Sequence, residues 1–116
     1  MKKIDLLLKR ARYSKRYEGY KELASCLELI MQDENRLCSL MKVYEDIAKK
    51  YQVNGRCVEK NIRKVNEIAW KRGGGCFINE ISGQHYLVVP QTGELLEIFM
   101  DYLKSENDTM PPTSDL

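Results

Sequence analysis

A cluster of charged side chains between residues 56 and 67 has the types and spacing needed to contact nucleic-acid bases. With Val58 at zero on a helical wheel of about 100° per residue, Val58, Ile62 and Val65 form an apolar stripe. Arginine matches guanine O6 and N7, glutamate accepts from cytosine N4, and lysine reaches either a base or a phosphate. The opposite, charged face therefore predicts base contacts by Arg56, Glu59, Lys60, Arg63 and Lys64.

Further cations lie on both sides of this stretch in the chain. Lysine and arginine side chains that surround a recognition helix bind backbone phosphates and set the register of the protein without reading sequence. Surface solubility is the alternative explanation for each lysine taken singly. As a group they predict phosphate contacts by Lys42, Lys49, Lys50, Asn54, Lys71 and Arg72.

No other combination of residues predicts catalysis, a cofactor or a metal site. The only histidine, His85, has no serine or cysteine partner at a recognisable spacing. The cysteines form no C-x-x-C pair, so neither zinc nor a disulfide framework is expected, and free thiols buried or half-buried on helices are expected instead. These cysteines are Cys26, Cys38, Cys57 and Cys76. The protein is expected not to be an enzyme.

The charge is divided unevenly along the 116 residues, although the net charge is only +2. Residues 1–21 carry +6, residues 22–41 carry −3, residues 42–72 carry +5 and residues 73–116 carry −6. A positive side and a negative side are typical of nucleic-acid binding. A chain of this length forms one domain, and it has no apolar run long enough for a membrane span or a signal peptide. We therefore expect a cytoplasmic protein.

The elements that position these residues are predicted to be helices, because apolar side chains recur at spacings of three and four. The expected fold is all-α, a compact bundle of about six helices within a single domain of residues 1–104. The last helix is expected to be capped by Thr92, and residues 86–89 to form an extended connector. Residues 105–116 are polar and contain Pro111-Pro112, which predicts a disordered tail.

A helix-turn-helix is predicted over about residues 44–72, and a generic helical hairpin is the alternative. Ala48 is small enough for two helices to cross closely, and Val53 is expected to insert from the turn into the core. Asn54 is a good N-cap for a second helix over residues 55–72. The three glycines that follow, Gly73 to Gly75, are typical of a helix stop.

Two segments of this region, D-I-A-K-K at residues 46–50 and A-W-K-R-G at residues 69–73, carry a resemblance to a known family. The chain resembles the C-terminal DNA-binding effector domain of the sporulation initiation response regulator (stage zero sporulation protein A) family of endospore-forming Firmicutes. The resemblance extends less strongly upstream, to residues 18–20, and downstream, to residues 79–103.

The resemblance implies a transcription regulator that binds double-stranded DNA at a TGTCGAA-like box, as tandem copies that contact RNA polymerase or a sigma factor. Glu59 and Arg63 are identical to the recognition-helix pattern of the family. Lys60 replaces an arginine, Lys64 replaces a histidine, and Cys57 stands where the family has another arginine, with Arg56 beside it. No sequence here could form the receiver domain that the family joins to this one, so the chain is either an isolated domain or a free-standing homologue. Because the basic opening, residues 1–16, begins with a methionine and has its own helical pattern, we expect a free-standing protein.

Two functions are consistent with these residues. The first is a sequence-specific DNA-binding transcriptional regulator whose recognition helix, residues 55–72, enters the major groove, alone or as a homodimer on tandem sites. The second is a protein-interaction module of the same fold. Its acidic last helix, with Glu94, Glu97 and Asp101, would bind RNA polymerase, a sigma factor or a related full-length regulator.

Overall fold

The computed structural model describes residues 3–108, and this part of the chain consists of helices and loops without a β-strand. The predicted all-α class is therefore confirmed. A π-helical turn with a kink at Gly73 joins α4 and α5 without a gap. With this continuous run counted as one helix, the described residues form five α-helices, and the predicted count of about six is not confirmed. The elements are α1 (Lys3–Arg10), α2 (Glu18–Gln32), a 3-10 helix (Glu34–Ser39), α3 (Leu40–Tyr51), α4 (Gly55–Ala69), the π-helical turn (Trp70–Gly74), α5 (Gly75–Ser82) and α6 (Thr92–Asp108).

Every α-helix contributes apolar side chains to one core, as the helical spacing of these residues requires. Leu8, Leu27, Ile62 and Phe99 are fully buried and come from α1, α2, α4 and α6. Burial of each such side chain stabilises the fold by about 1.5–3 kcal/mol. No helix within residues 3–108 is long and apolar enough to cross a membrane.

The position of α4 is fixed by its close packing against α2. Gly19 in α2 faces the backbone of α4, and a Cβ added there would lie 2.3 Å from the carbonyl oxygen of Asn61. No real Cβ contact is that short, so only glycine allows the two helices to approach to this distance. This contact sets the distance between α2 and α4.

Two helices end in the Schellman motif with a residue other than glycine in the left-handed conformation. Arg12 has φ 71° after α1, and Gln52 has φ 57° after α3. The Tyr13 N–H donates to the Leu8 carbonyl at 2.9 Å, and the Val53 N–H donates to the Ala48 carbonyl at 2.9 Å. These bonds satisfy carbonyl groups that the helix ends leave free. Both turns are therefore closed by backbone hydrogen bonds.

The end of α4 differs from the prediction. The regular α-helix stops at Ala69, three residues before the predicted end at Arg72, and widens into the π-helical turn. Within that turn Gly73 has φ 104°, which is the conformation expected of a glycine at a helix stop. Gly74 lies so close to α1 that an added Cβ would be 2.2 Å from the Ala11 carbonyl oxygen. Lys71 and Arg72 therefore lie outside the regular face of α4.

A buried polar network connects the loop after α1 with α4 and α6. The Tyr13 hydroxyl donates to Asn66 Oδ1 at 2.7 Å, and Asn66 Nδ2 donates to Thr92 Oγ1 at 3.4 Å. The Tyr13 ring also packs edge-on against Phe99, with 6.1 Å between ring centroids. Burial raises the pKa of Tyr13, so the hydroxyl remains a donor. Because these groups satisfy one another, their burial does not leave unpaired polar atoms.

Three local predictions are corrected by this packing. Thr92 is the first residue of α6 instead of its cap, and its hydroxyl accepts from Asn66. Val53 does not insert into the core; it is 39% exposed, and only its backbone N–H closes the turn. Of the four cysteines only Cys26 is buried, while Cys38, Cys57 and Cys76 are exposed.

The structure also describes the connector before α6 and the C-terminal end of the last helix. Residues 86–89 form neither a strand nor a helix, and the chain bends at Leu87 and Val88 instead of running straight as an extended connector. The last helix continues through Asp108, four residues beyond the predicted domain boundary at 104. The remainder of the predicted disordered tail, residues 109–116, lies outside the described residues.

Candidate nucleic-acid interface

The turn before α4 fixes where that helix begins. The Asn54 side-chain oxygen accepts from the Arg56 N–H at 2.7 Å, and the Asn54 carbonyl accepts from the Cys57 and Val58 N–H groups. This is the N-cap arrangement that asparagine favours. A phosphate contact needs a hydrogen-bond donor, and the side chain of Asn54 can supply one through its NH2 group while Oδ1 caps the helix.

We expect Asn54→Ala to lower the free energy of unfolding by about 1 kcal/mol, because α4 would lose its capping acceptor. Urea unfolding followed by circular dichroism measures this change. Asn54→Ser is the matched control, since a serine hydroxyl can accept the same hydrogen bond. Equal stability of the two variants would contradict a capping role for this side chain.

The structure places the predicted face of α4 toward solvent. Val58, Ile62, Val65, Asn66 and Ala69 are buried on the opposite side of the helix. Glu59 differs from the other predicted base contacts in being half-buried. The exposed members of the face are Arg56, Lys60, Arg63, Lys64 and Glu67.

One side of this face borders a groove of about 530 Å3 between α4 and the connector before α6. Glu59, Arg63 and Glu67 line one wall, and Tyr44 and Pro90 lie on the other side. Burial, with smaller contributions from nearby Cys26 and Glu59, raises the pKa of Tyr44 to about 12. Tyr44 is therefore neutral at physiological pH.

The other side of the face borders the start of α2. Lys64 and Asn61 line a small cleft of about 110 Å3 together with Tyr17, Glu18 and Gly19. The N-terminal segment of the chain therefore runs beside the Lys64 edge of α4. Sequence patterning gave no sign of this arrangement, because it depends on packing between distant segments.

The predicted phosphate contacts are all exposed, but they do not form one group. Lys49 and Lys50 lie in the last turn of α3, just before the turn that leads to α4. Lys50 Nζ donates to Ser25 Oγ at 3.4 Å and lies 5.2 Å from the centroid of the Tyr51 ring. Lys42 instead lines a shallow depression that includes three carboxylates, those of Asp33, Glu45 and Asp46.

Arg72 occupies a different position from the other phosphate candidates. It lines a cleft with cations of the N-terminal segment. The +6 charge of residues 1–21 is evident in the sequence, but no site was predicted from it. That charge was the signal from which this basic surface could have been found. The cations beside Arg72 are Lys9, Arg12 and Lys15.

A buried carboxylate supports the back of α4, and sequence patterning did not indicate it. Glu22 in α2 is fully buried, and its Oε2 accepts from Asn61 Nδ2 at 3.5 Å. Among the described residues its Oε1 has no hydrogen-bond partner. Burial raises the pKa of Glu22 above its ordinary value of 4.5, and the bond from Asn61 opposes that shift.

The raised pKa predicts how this carboxylate affects stability. Because the folded protein holds the proton more tightly than the unfolded chain, stability falls as pH rises from the ordinary pKa through the folded pKa. We expect Glu22→Gln to remove this loss and to be more stable than the parent at neutral pH. Urea unfolding of both proteins between about pH 4 and pH 7 tests this. A difference in stability that does not grow with pH would contradict it.

The sequence profile of the family described as "Sporulation initiation factor Spo0A C terminal" matches residues 4–103 of the 116. The match runs from α1 into α6 and includes both helices around the 52–54 turn. The chain therefore belongs to the sporulation initiation factor Spo0A C-terminal family, a family of DNA-binding effector domains of transcription regulators.

Proposed function

We propose that this protein is a sequence-specific regulator that binds double-stranded DNA through a helix-turn-helix formed by α3 and α4. The observation that carries the proposal is the exposed face of α4, which presents four cations to solvent. The helix begins directly after the turn that Asn54 caps. An α-helix fits the major groove, which is about 12 Å wide. Family membership supports the same class of ligand.

The length of the turn is compatible with the proposed helix-turn-helix. Only residues 52–54 separate α3 from α4, which is the length such turns have. Ala48 is buried in α3, and α3 packs against α4. The turn therefore keeps the start of α4 close to the end of α3.

Each base-contacting residue is proposed to have a distinct role. Arg56 and Arg63 donate in bidentate fashion to guanine, and Glu59 accepts from cytosine N4. Lys60 and Lys64 contact a base or a phosphate as point charges, since lysine lacks the planar fork of arginine. Backbone phosphates are contacted by Lys49 and Lys50 at the end of α3 and by Asn54, Lys71 and Arg72. Lys42 contributes least, because it lies beside the carboxylates of Asp33, Glu45 and Asp46.

The proposal is tested by fluorescence anisotropy with two labelled duplexes, one containing the TGTCGAA-like box and one with the box scrambled. A preference for the box that persists above about 150 mM salt is the expected result. Equal and steeply salt-dependent binding of both duplexes would contradict sequence-specific recognition.

A second candidate function rests on α6. Glu94, Glu97 and Asp101 are exposed along this helix, and Glu94 accepts a hydrogen bond from the Tyr86 hydroxyl at 2.5 Å. This acidic face is proposed to bind a basic surface of RNA polymerase, a sigma factor or a related regulator. We expect the partner to co-purify with the parent after nuclease treatment and not to co-purify with Glu97→Lys. Loss of co-purification when the parent is treated with nuclease would contradict a direct contact.

A further inference from the structure

The N-terminal basic segment forms a surface that the contacts proposed above leave almost unused. Three of its cations line, together with Arg72, a cleft of about 490 Å3 beside the end of α4. The buried Tyr13 and Tyr20 rings and half-buried Ser14 form the rest of that cleft with Asp5. We refer to it as the basic cleft; its cations are Lys9, Arg12, Lys15 and Arg72.

The charge of the basic cleft is not neutralised within the described part of the chain. No salt bridge between described residues joins any of its four cations to a carboxylate. Asp5 is the single carboxylate in the lining, and it already accepts from the Tyr20 hydroxyl at 2.8 Å. Four cations and one carboxylate give the cleft a net charge of +3, so it suits an anionic ligand.

The basic cleft adjoins the edge of α4. Tyr17 and Glu18, which follow the cleft residues in the chain, line the small cleft that contains Lys64. Arg16 lies between these two positions in the chain, with its guanidinium 5.8 Å from the centroid of the Tyr17 ring. The chain thus runs from the basic cleft at the end of α4 to the Lys64 side of that helix. When a helix occupies the major groove, a phosphate backbone passes along each side of it.

The loop that carries these cations is held in place. Arg12 adopts φ 71°, and its N–H donates to the Lys9 carbonyl at 3.0 Å as part of the Schellman motif. Directly after it, Tyr13 is anchored in the core by its bond to Asn66 of α4. Arg12 and Lys15 are therefore positioned relative to α4 by a buried hydrogen bond, and their placement does not depend on a flexible tail.

We infer that the basic cleft binds backbone phosphates of the duplex that flanks the box recognised by α4. The inference rests on the proposed function and extends it, because it assigns to residues 9–15 a second line of DNA contacts outside the box. The ligand chemistry is a phosphodiester, which Lys and Arg neutralise with release of counterions.

The test compares two duplexes of different length. A duplex rises about 3.4 Å per base pair, so this molecule, 48 Å in its longest dimension, can cover about 14 base pairs. A hairpin duplex of about 10 base pairs holds the box alone, whereas one of about 20 also supplies the flanks. The full chain and the triple variant Lys9→Gln, Arg12→Gln, Lys15→Gln are titrated with both across a salt series.

The expected result depends on duplex length. The triple variant should bind the short duplex as the parent does. On the long duplex the variant's affinity should depend less steeply on salt than the parent's. The magnitude of the slope of log affinity against log salt should decrease by about 2.7, which is about 0.9 for each phosphate that the variant no longer neutralises. Lys104→Gln is the matched control, because Lys104 pairs with Glu34 outside the basic cleft and should change neither slope.

A single substitution separates DNA binding from folding. Arg12→Gly removes a cation at a position where glycine relieves the left-handed conformation, so it should keep or raise stability while lowering the long-duplex slope by about 0.9. An unchanged slope for both variants on the long duplex, or an equal decrease on both duplexes, would overturn the inference. Failure of the parent to prefer the box would instead reject the proposed function.

Discussion

Arg63→Ala should weaken binding to the box by about 1–3 kcal/mol, which corresponds to about 5- to 150-fold in affinity, and should relax the preference for one guanine. Arg63 lies near the centre of the exposed face of α4 and is itself exposed. Its guanidinium can therefore donate to guanine O6 and N7 without rearrangement of the core. The measurement is anisotropy with the box duplex and with duplexes substituted at each guanine.

Two further variants separate base contact from charge. Lys49→Ala, at the end of α3, should weaken binding to all sequences alike and lower the salt slope by about 1. Arg63→Lys keeps the charge but removes the planar fork, so it should retain nonspecific affinity while relaxing the preference for the guanine that Arg63 contacts. If Arg63→Ala changed affinity for the box and for the scrambled duplex equally, Arg63 would be a phosphate contact instead.

Gly19→Ala should lower the free energy of unfolding by about 1–3 kcal/mol, because the added methyl group would overlap the backbone of α4. The Cβ would lie 2.3 Å from the Asn61 carbonyl oxygen and 2.8 Å from its carbonyl carbon. Neither atom can move without shifting α4. The variant should therefore also bind the box less tightly than the parent at temperatures where it remains folded.

Gly55→Ala is the matched control for this substitution. A Cβ at Gly55 would be 3.7 Å from Glu45 Cγ, an ordinary contact, and alanine is a better helix residue than glycine. That variant should be as stable as the parent or more stable. Unfolding of Gly19→Ala at the same urea concentration as the parent would show that α2 and α4 can separate at little cost.

Local patterning predicted the fold class and the exposed face of α4 well. The wheel placed Val58, Ile62 and Val65 inside and Arg63 and Lys64 outside because a helix of regular pitch fixes its faces independently of its neighbours. The cap at Asn54 was predictable for the same reason, since it depends on residues adjacent in sequence.

Features that depend on packing between distant segments were not predictable from local patterns. Glu22 has an ionisable side chain, yet it is buried in α2 one turn after Gly19, where α2 and α4 approach closely. The π-helical turn, which contains Arg72, lies where Gly74 approaches the Ala11 carbonyl closely. Such contacts join residues that are far apart in sequence and leave no periodic signal.

Methylation interference provides the strictest test of whether α4 reads bases in the major groove. Dimethyl sulfate methylates guanine N7, which faces the major groove, and adenine N3, which faces the minor groove. We predict that methylation of guanine N7 within the box prevents binding and that Arg63→Ala abolishes this effect at one guanine. Interference confined to adenine N3, or identical interference patterns for the parent and Arg63→Ala, would contradict the claim.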